Sequence, residues 1–573
     1  MHQSLSILLL MLLPASAMAI NLSVRVEGLE RALETNVRAY LSVEQEKSHG
    51  KLTQSRLDLL HKRAPDEIRQ ALRPFGYFEP TIESSLDKEL LRYTARYQVD
   101  PGPRVIVETV DFQVVGEGAG EPSLTADFPL AEGQGLDLGR YEKAKQSRLS
   151  SALQLGYLDA HYTEHEVRVD RPSRTARIRL HLDSGMRFLF GEIRMRQDIL
   201  DPEFLARYLS FGAGDPYSNE KLLGLQSDLI DSEYFKQVEV NVRRDQVVER
   251  RIPVEIQLTP NRKNRYRIGL GFSTDTGPRM TLDWKRRRFG REGRHMHSVL
   301  RLSRPESSLS SEYIIPLERP KVDYLSFGAT IEDYDTDTNE GSRVLLNASH
   351  SVARQRGWRR TLSLNYLFED FIVGSQDDNA RLLVPGVTWA RIKGDSRLFN
   401  YKGKRLELHL EGAADKLLST TSYVQLYTTN KFIHGLNDDW RVLARLELGA
   451  TWADEVLELP PSKRFYTSDD NSIRGFSFEE LGPRDENGEV LGGRYLAVGS
   501  LELERRLGGR WSAAVFVDGG NAYDPDYRAG GAYGAGLGIR WRSPVGPIRL
   551  DLARGSYLDE HDWRAHLVLG PEL

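Results

Sequence analysis

Few stretches of this chain join residue types and spacings that could do chemistry. "HYTEH", His161 to His165, has the H-x-x-E-H spacing of a zinc protease. That chemistry needs a helix, which sets both histidines on one face a turn apart. Here the motif runs into the alternating "EVRVD". On a strand, residues four apart stand about 13 Å from each other and Glu164 points the other way, so no metal site is expected. "DYDTDTNEG", Asp333 to Gly341, has a calcium-loop flavour, but Thr338 stands where the EF-hand needs glycine and Val344 where it needs glutamate. It reads as an acidic loop. The glycine run "GAYGAGLG" lacks dinucleotide-binding spacing, and no Gly-x-Ser-x-Gly elbow or P-loop occurs. No catalytic residue, cofactor or enzymatic activity is expected. What remains is Arg474-Gly475-Phe476, in the long polar stretch "NSIRGFSFEELGPRDENGEVLGG". A solvated arginine needs no glycine beside it, whereas one that plugs a hole and meets buried acids would.

The elements around that arginine decide its meaning. The chain has 573 residues, a formal net charge of -4 and no cysteine. Disulfide and thiolate chemistry are excluded, and the charge gives no footing for nucleic acid. Leu5 to Leu13 form an apolar core, followed by Ala17-Met18-Ala19. This is the pattern of a signal peptide over 1–19, although its n-region holds no Lys or Arg. After Ile20 no run approaches the roughly 20 apolar residues of a membrane helix, a test that barrels evade.

Three segments repeat one unit, over 20–103, 104–185 and 186–262. Each opens with a short strand (Leu22 to Val26, Val105 to Val114, Phe188 to Met195) and continues with helical spacing. Each then turns a corner, at "PFGYFEP", "QLGYLDA" and "DSEYFKQ", and ends in two alternating strands. The order β-α-α-β-β with a Gly/Ser-aromatic corner resembles the POTRA module, a periplasmic docking domain. That resemblance implies an exposed strand edge to which an extended partner could add a strand.

From 263 to 573 the texture changes to segments of about ten residues with period-2 alternation. Strands are placed from Arg265, Arg279, Met296, Glu312, Val322, Arg343, Arg359, Arg381, Arg405, Ser422, Arg441, Arg494, Trp511, Ala532, Gly546 and Trp563. About sixteen is an even number, as single-chain bacterial barrels require. Connections after even-numbered strands are short ("ERPK", "RQRG", "RLGGR"), and those after odd-numbered strands tend to be longer. The expected fold is three periplasmic α+β POTRA domains followed by a 16-stranded antiparallel transmembrane β-barrel. Tyr313, Tyr324, Trp389, Tyr427 and Trp541 suit interfacial girdles. "KRRRFGREGR", Lys285 to Arg294, reads as a solvated periplasmic turn within reach of lipid headgroups or the third module.

"SIRGFSFEELGP" then resembles the sixth-loop signature of the outer-membrane assembly-factor superfamily, BamA-like proteins with POTRA modules before a sixteen-stranded barrel. "LGGRYLAVGSLELERRL", "FVDGGN" and "GLGIRWRSPVGPIRLDLA" come next, in the family's order. Three modules and the ending "HLVLGPEL" look most like its TamA branch, the barrel subunit of the translocation and assembly module. BamA-type members usually carry five modules, and two-partner secretion transporters two and a plug helix. The resemblance implies an outer-membrane insertase for barrel and autotransporter clients. It implies a TamB-like, inner-membrane-anchored periplasmic partner, unfolded outer-membrane proteins and outer-membrane lipids as its contacts. A two-partner-type secretion pore and a phospholipid-transport component are the rival readings.

The family motif marks Arg474, Gly475 and Phe476 as the sixth-loop latch, with Asp518 (beside Phe516 and Gly520 in "FVDGGN") as its lumenal partner. Strand parity adds Asp551, and turns Glu502 and Glu504 inward as rivals. The expected lateral seam joins "RYRIGLGFS" to "WRAHLVLG", through Ile268, Gly269 and Gly271 on one side and Leu567 and Leu569 on the other. The two glycines would weaken the first strand.

Overall fold

A computed structural model of the chain describes residues 21–47, 52–89, 92–274, 277–354, 357–395, 400–467, 472–543, 546–558 and 560–569. The signal-peptide segment, Asn471, Gly570 and the last three residues lie outside the described residues. The chain divides into two compact units. One holds 1–194, 211–223 and 242–255; the other holds 195–210, 224–241 and 256–573. The third module therefore contributes to both.

The N-terminal copies are built by helices whose apolar residues recur at three and four. In the helix Gln54–Leu72, Leu57, Leu60, Ala64, Ile68, Ala71 and Leu72 are buried, a stripe that a 3.6-residue period sets on one face. They pack with Leu33 and Val37 of Arg31–Tyr40 against Ala95, Tyr97 and Val99 of the strand Arg92–Asp100. That strand sits at the middle of a three-stranded sheet, parallel to the opening strand Asn21–Glu27 and antiparallel to Thr81–Glu89. The second copy repeats the order, with Thr175–Asp183 between Ile106–Val115 and His161–Asp170. "HYTEH" thus opens a strand. A third sheet is made by Leu189–Arg196, Arg251–Pro260 and Phe235–Val242.

Each corner turns through a left-handed residue. This is Gly76 (φ 87°) in the first copy and Gly156 (φ 98°) in the second, as suits a helix C-terminus. In the third copy the sequence offers Ser232, but the left-handed residue is Glu233, at φ 61°.

Sixteen antiparallel strands follow in one sheet, in sequence order from Asn264–Ser273 to Glu560–Leu569. Outward rows are apolar, as in Leu362 and Leu364, while Glu369 and Glu411 turn inward and are buried. One expectation holds only in part: the connections after the ninth, eleventh and thirteenth strands are long, but those after the first, third, fifth and seventh are only two or three residues long. In place of long loops, the strands themselves extend: Trp358–Val373 has 16 residues and Gln376–Gly394 has 19, where about 9–11 suffice to span a bilayer. Ladder hydrogen bonds satisfy backbone groups that a loop would leave to water.

Two girdle assignments are also corrected. Tyr427 points inward, its hydroxyl donating to Glu447 at 3.1 Å. Tyr324 alternates with Ser326 and Glu332, which are buried, and so shares their inward row. Trp389 faces out, and Trp541 does so stacked on Trp511 at 5.7 Å between ring centroids.

Candidate functional site

The sixth loop, between the strands Trp440–Trp452 and Tyr495–Gly508, folds against the barrel's inner wall. Ile473, Leu481 and Phe476 are buried with Leu496, Val498, Ala522, Ala532 and Tyr557 of the wall. This apolar packing brings Arg474 to the carboxylates. Its Nε and Nη2 donate to the two oxygens of Asp518 at 2.7 and 2.9 Å, a bidentate pair. Its own backbone N–H reaches Asp518 at 3.2 Å, and the Ser500 hydroxyl adds a fourth donor at 2.6 Å. Those four bonds fill the acceptor sites of a carboxylate. Nη1 donates to Glu502 at 2.8 Å and to Asp551 at 3.2 Å. The guanidinium carbon lies 3.4 Å from the centroid of the Phe516 ring, a cation–π contact away from water.

Burying three acids beside one cation would be prohibitive. Arg540, which the sequence pattern does not single out, answers this by donating to Glu502 at 2.8 Å and Asp551 at 2.5 Å. Two guanidiniums, of Arg474 and Arg540, thus hold Asp518, Glu502 and Asp551, with Arg549 opposite Arg540 in the ladder. Glu502 is a partner alongside Asp518 and not its rival. Glu504 is no partner at all, because Arg441 holds it at 2.9 and 2.5 Å.

Glycines shape the approach. Gly475 has φ 107°, and a Cβ there would lie 2.5 Å from the Gly555 nitrogen. Its N–H donates to Nε2 of His566 on the last strand at 2.9 Å. Phe476 packs on Gly555. Gly520, two residues after Asp518 in the strand Trp511–Tyr523, has φ 141°, and a Cβ there would lie 2.0 Å from the Ala497 carbonyl oxygen.

A second anchor holds the loop from the other side. Glu479, itself at φ 55°, accepts from Thr338 at 2.8 Å, Asn339 at 3.1 Å and Thr336 at 3.3 Å. "DYDTDTNEG" is therefore a receptor for a loop carboxylate. Upstream, Lys463 pairs with Glu411 at 2.6 Å, and Arg464 donates to the Leu459 and Leu491 carbonyls.

At the seam, the first and last strands stand at the two ends of the sheet order and form no ladder with each other among the described residues. The Leu567 N–H of the last strand donates to Oγ1 of Thr274, just past the first strand, at 3.3 Å, and the Arg279 guanidinium of the second strand reaches the Leu569 carbonyl at 3.2 Å. Gly269 pairs with Thr281 and Gly271 with Arg279 on the second strand. Ile268 and Leu270, at 71% and 79%, are the most exposed aliphatic residues of the barrel strands among the described residues, as fits a strand with a neighbour on one side only.

Residues 254–570 match the model of the Omp85 superfamily domain. The chain belongs to the Omp85 superfamily. Residues 23–101 also match the first POTRA domain of TamA. BamA, the outer membrane protein assembly factor of Nitratidesulfovibrio vulgaris, is 24% identical over 62% of this chain and 46% of its own length. The chloroplastic outer envelope protein 80 of Arabidopsis thaliana is 32% identical over 22% of this chain and 17% of its own length. The matches therefore span less than half of either relative. The crystal structure of BamA from Haemophilus ducreyi lacking POTRA domains 1–3 superposes with a TM-score of 0.64 at 16% identity. It covers 80% of this chain and 98% of that one, a likeness of fold. As an Omp85 barrel the chain resides in the bacterial outer membrane, with POTRA structure on the periplasmic side.

In this Omp85 barrel the docked loop needs a bare wall at Gly534, where an added Cβ would sit 2.0 Å from the Arg474 carbonyl oxygen. Neither backbone can yield without moving the arginine. Gly534→Ala is expected to raise the rate of protease nicking within the sixth loop about tenfold, a loss of ~1.4 kcal/mol, within the roughly 1–3 kcal/mol typical of overpacking. Gly499→Ala, where a Cβ meets nothing within 4 Å, is the control. Equal nicking of both variants would show that the loop does not depend on this close approach.

Proposed function

We propose that this chain is an outer-membrane insertase of the TamA type, which offers the edge of its first strand to an incoming client strand. The observation that carries the reading is the junction between Asn264–Ser273 and Glu560–Leu569, which form no ladder with each other among the described residues. An unfolded strand cannot enter lipid with unpaired backbone groups. A free strand edge in the wall supplies partners for those groups as the client enters. Gly269 and Gly271 support easy parting, since glycine adds no side-chain packing to a strand. Nothing in the chain suggests nucleotide use, so the work would draw on client folding.

The three N-terminal sheets are read as three POTRA modules. A TamB-like periplasmic protein is their proposed partner, with barrel and autotransporter proteins as clients. The sixth loop favours this reading over a secretion pore, because its apolar cluster and buried ion pairs occupy the lumenal side of the wall.

Proteoliposomes test it. A urea-unfolded small barrel protein should fold, by gel mobility and protease resistance, several-fold faster into vesicles that contain this chain than into empty vesicles. Equal rates, with and without the TamB-like partner, would remove the insertase reading.

A further inference from the structure

The corner of each module is where the chain hands over to the next domain, and the three handovers share a plan. The Gly76 carbonyl accepts the N–H of Val105 at 2.9 Å, and Arg104 reaches back to the Phe75 carbonyl at 2.8 Å. The Gly156 carbonyl accepts the N–H of Phe188 at 2.9 Å, and Arg187 reaches back to the Leu155 carbonyl at 2.9 Å. At the third corner the Glu233 carbonyl takes the Asn261 side chain at 3.2 Å, and the arginine that reaches back is Arg265, in the first barrel strand. It meets the Glu233 carboxylate and not a carbonyl. Glutamate stands here although the position is left-handed, a conformation that side chains avoid and that glycine fills in the other two copies.

The carboxylate also meets Lys285 at 2.9 Å and Arg287 at 3.8 Å. Lys285 is the ladder partner of Arg265, so one acid ties together the first two strands at their module-side end. Burial works to raise the carboxyl pKa of Glu233, but Lys285, Arg265 and Arg287 outweigh it and hold the group below the usual carboxylate range. The neighbouring contacts repeat the theme. Tyr234 donates to the Gly293 carbonyl at 2.5 Å, Phe204 fills the space where Gly293 lacks a side chain, and Arg291 pairs with Asp201 at 2.8 Å. The basic segment Lys285 to Arg294, which reads from sequence as a solvated turn within reach of lipid headgroups or the third module, is docked by these residues. All of them lie in the compact unit that contains the barrel.

We propose that Glu233 is a positioning residue that couples the third module's corner to the first barrel strand, so that a pull on the corner reaches the strand edge offered to the client. The coupling rests on the insertase reading for its purpose but not for its existence. A left-handed glutamate with no other task would be improved by glycine; a coupling glutamate would not.

The test uses the full chain in lipid nanodiscs, with E233G and E233Q. Hydrogen exchange of the amides in 265–271 is expected to speed up at least tenfold in both variants, while amides of 512–518 stay unchanged. Client insertion into proteoliposomes should fall several-fold. Unchanged exchange in 265–271 in both variants overturns the proposal, as does faster exchange spread evenly over the barrel. E233Q keeps the side-chain volume and decides the matter if E233G misfolds. Faster exchange in 265–271, in a chain whose insertion a seam cross-link does not affect, supports the coupling and counts against the insertase reading alone.

Discussion

Asp518→Lys is expected to expel the sixth loop from the barrel wall and abolish assembly activity, while the barrel still reaches the outer membrane. Asp518 is fully buried at its side chain and accepts four hydrogen bonds, three of them from Arg474. Removing one member of a buried pair costs about 3–5 kcal/mol, because the partner is left charged and dry. That shifts the docked–undocked balance by about two to three and a half orders of magnitude. Reversal adds repulsion among the lysine, Arg474 and Arg540. The barrel's own ladders do not run through this side chain, so heat-modifiable mobility on gels should persist. Protease should then cut the loop near Phe476, and conductance across a planar bilayer should rise. Arg474→Lys should be intermediate, since an ammonium keeps the charge but loses the planar fork. An Asp518→Lys chain with full activity and a protected loop would remove the latch.

The second large effect concerns the seam. The chain has no cysteine, so Thr274→Cys with Leu567→Cys introduces one defined pair. The Leu567 N–H already reaches the Thr274 side chain at 3.3 Å, which brings the two backbones within range of a disulfide. Oxidation should stop client insertion, and reduction should restore it, because a covalent staple prevents the edge from being vacated. Each single-cysteine chain should insert normally in either redox state. Insertion that continues through a fully formed disulfide would mean that clients do not enter between these strands.

Much of the fold was legible in the sequence, for identifiable reasons. The sixteen strands announce themselves because lipid on one side and the lumen on the other impose a two-residue period. The largest displacement is at the fourth strand, expected from Glu312 and found from Glu306. There the serines at 307, 308, 310 and 311 hide the alternation. Arg474, Asp518 and Asp551 could be brought together on paper because a motif marked the loop and parity oriented the strands. Arg540 and Arg549 escaped notice because an inward arginine looks like any other polar residue in an alternating strand. Only the sum of buried charge calls for them. Contacts between segments far apart in sequence left no local trace, as with Glu479 and the turn at Thr336, Thr338 and Asn339. Glu233 was hidden for the opposite reason: local preference argues against it, and only tertiary ion pairs explain it.

A photo-crosslinking side chain placed at Leu270, on the first strand, tests the central claim most directly. Leu410, on the ninth strand and also facing lipid, serves as the comparison. A client arrested during insertion should be captured at position 270 and not at 410, with capture lost when the seam disulfide is formed. Capture at both positions alike, or at neither while insertion proceeds, would contradict the account.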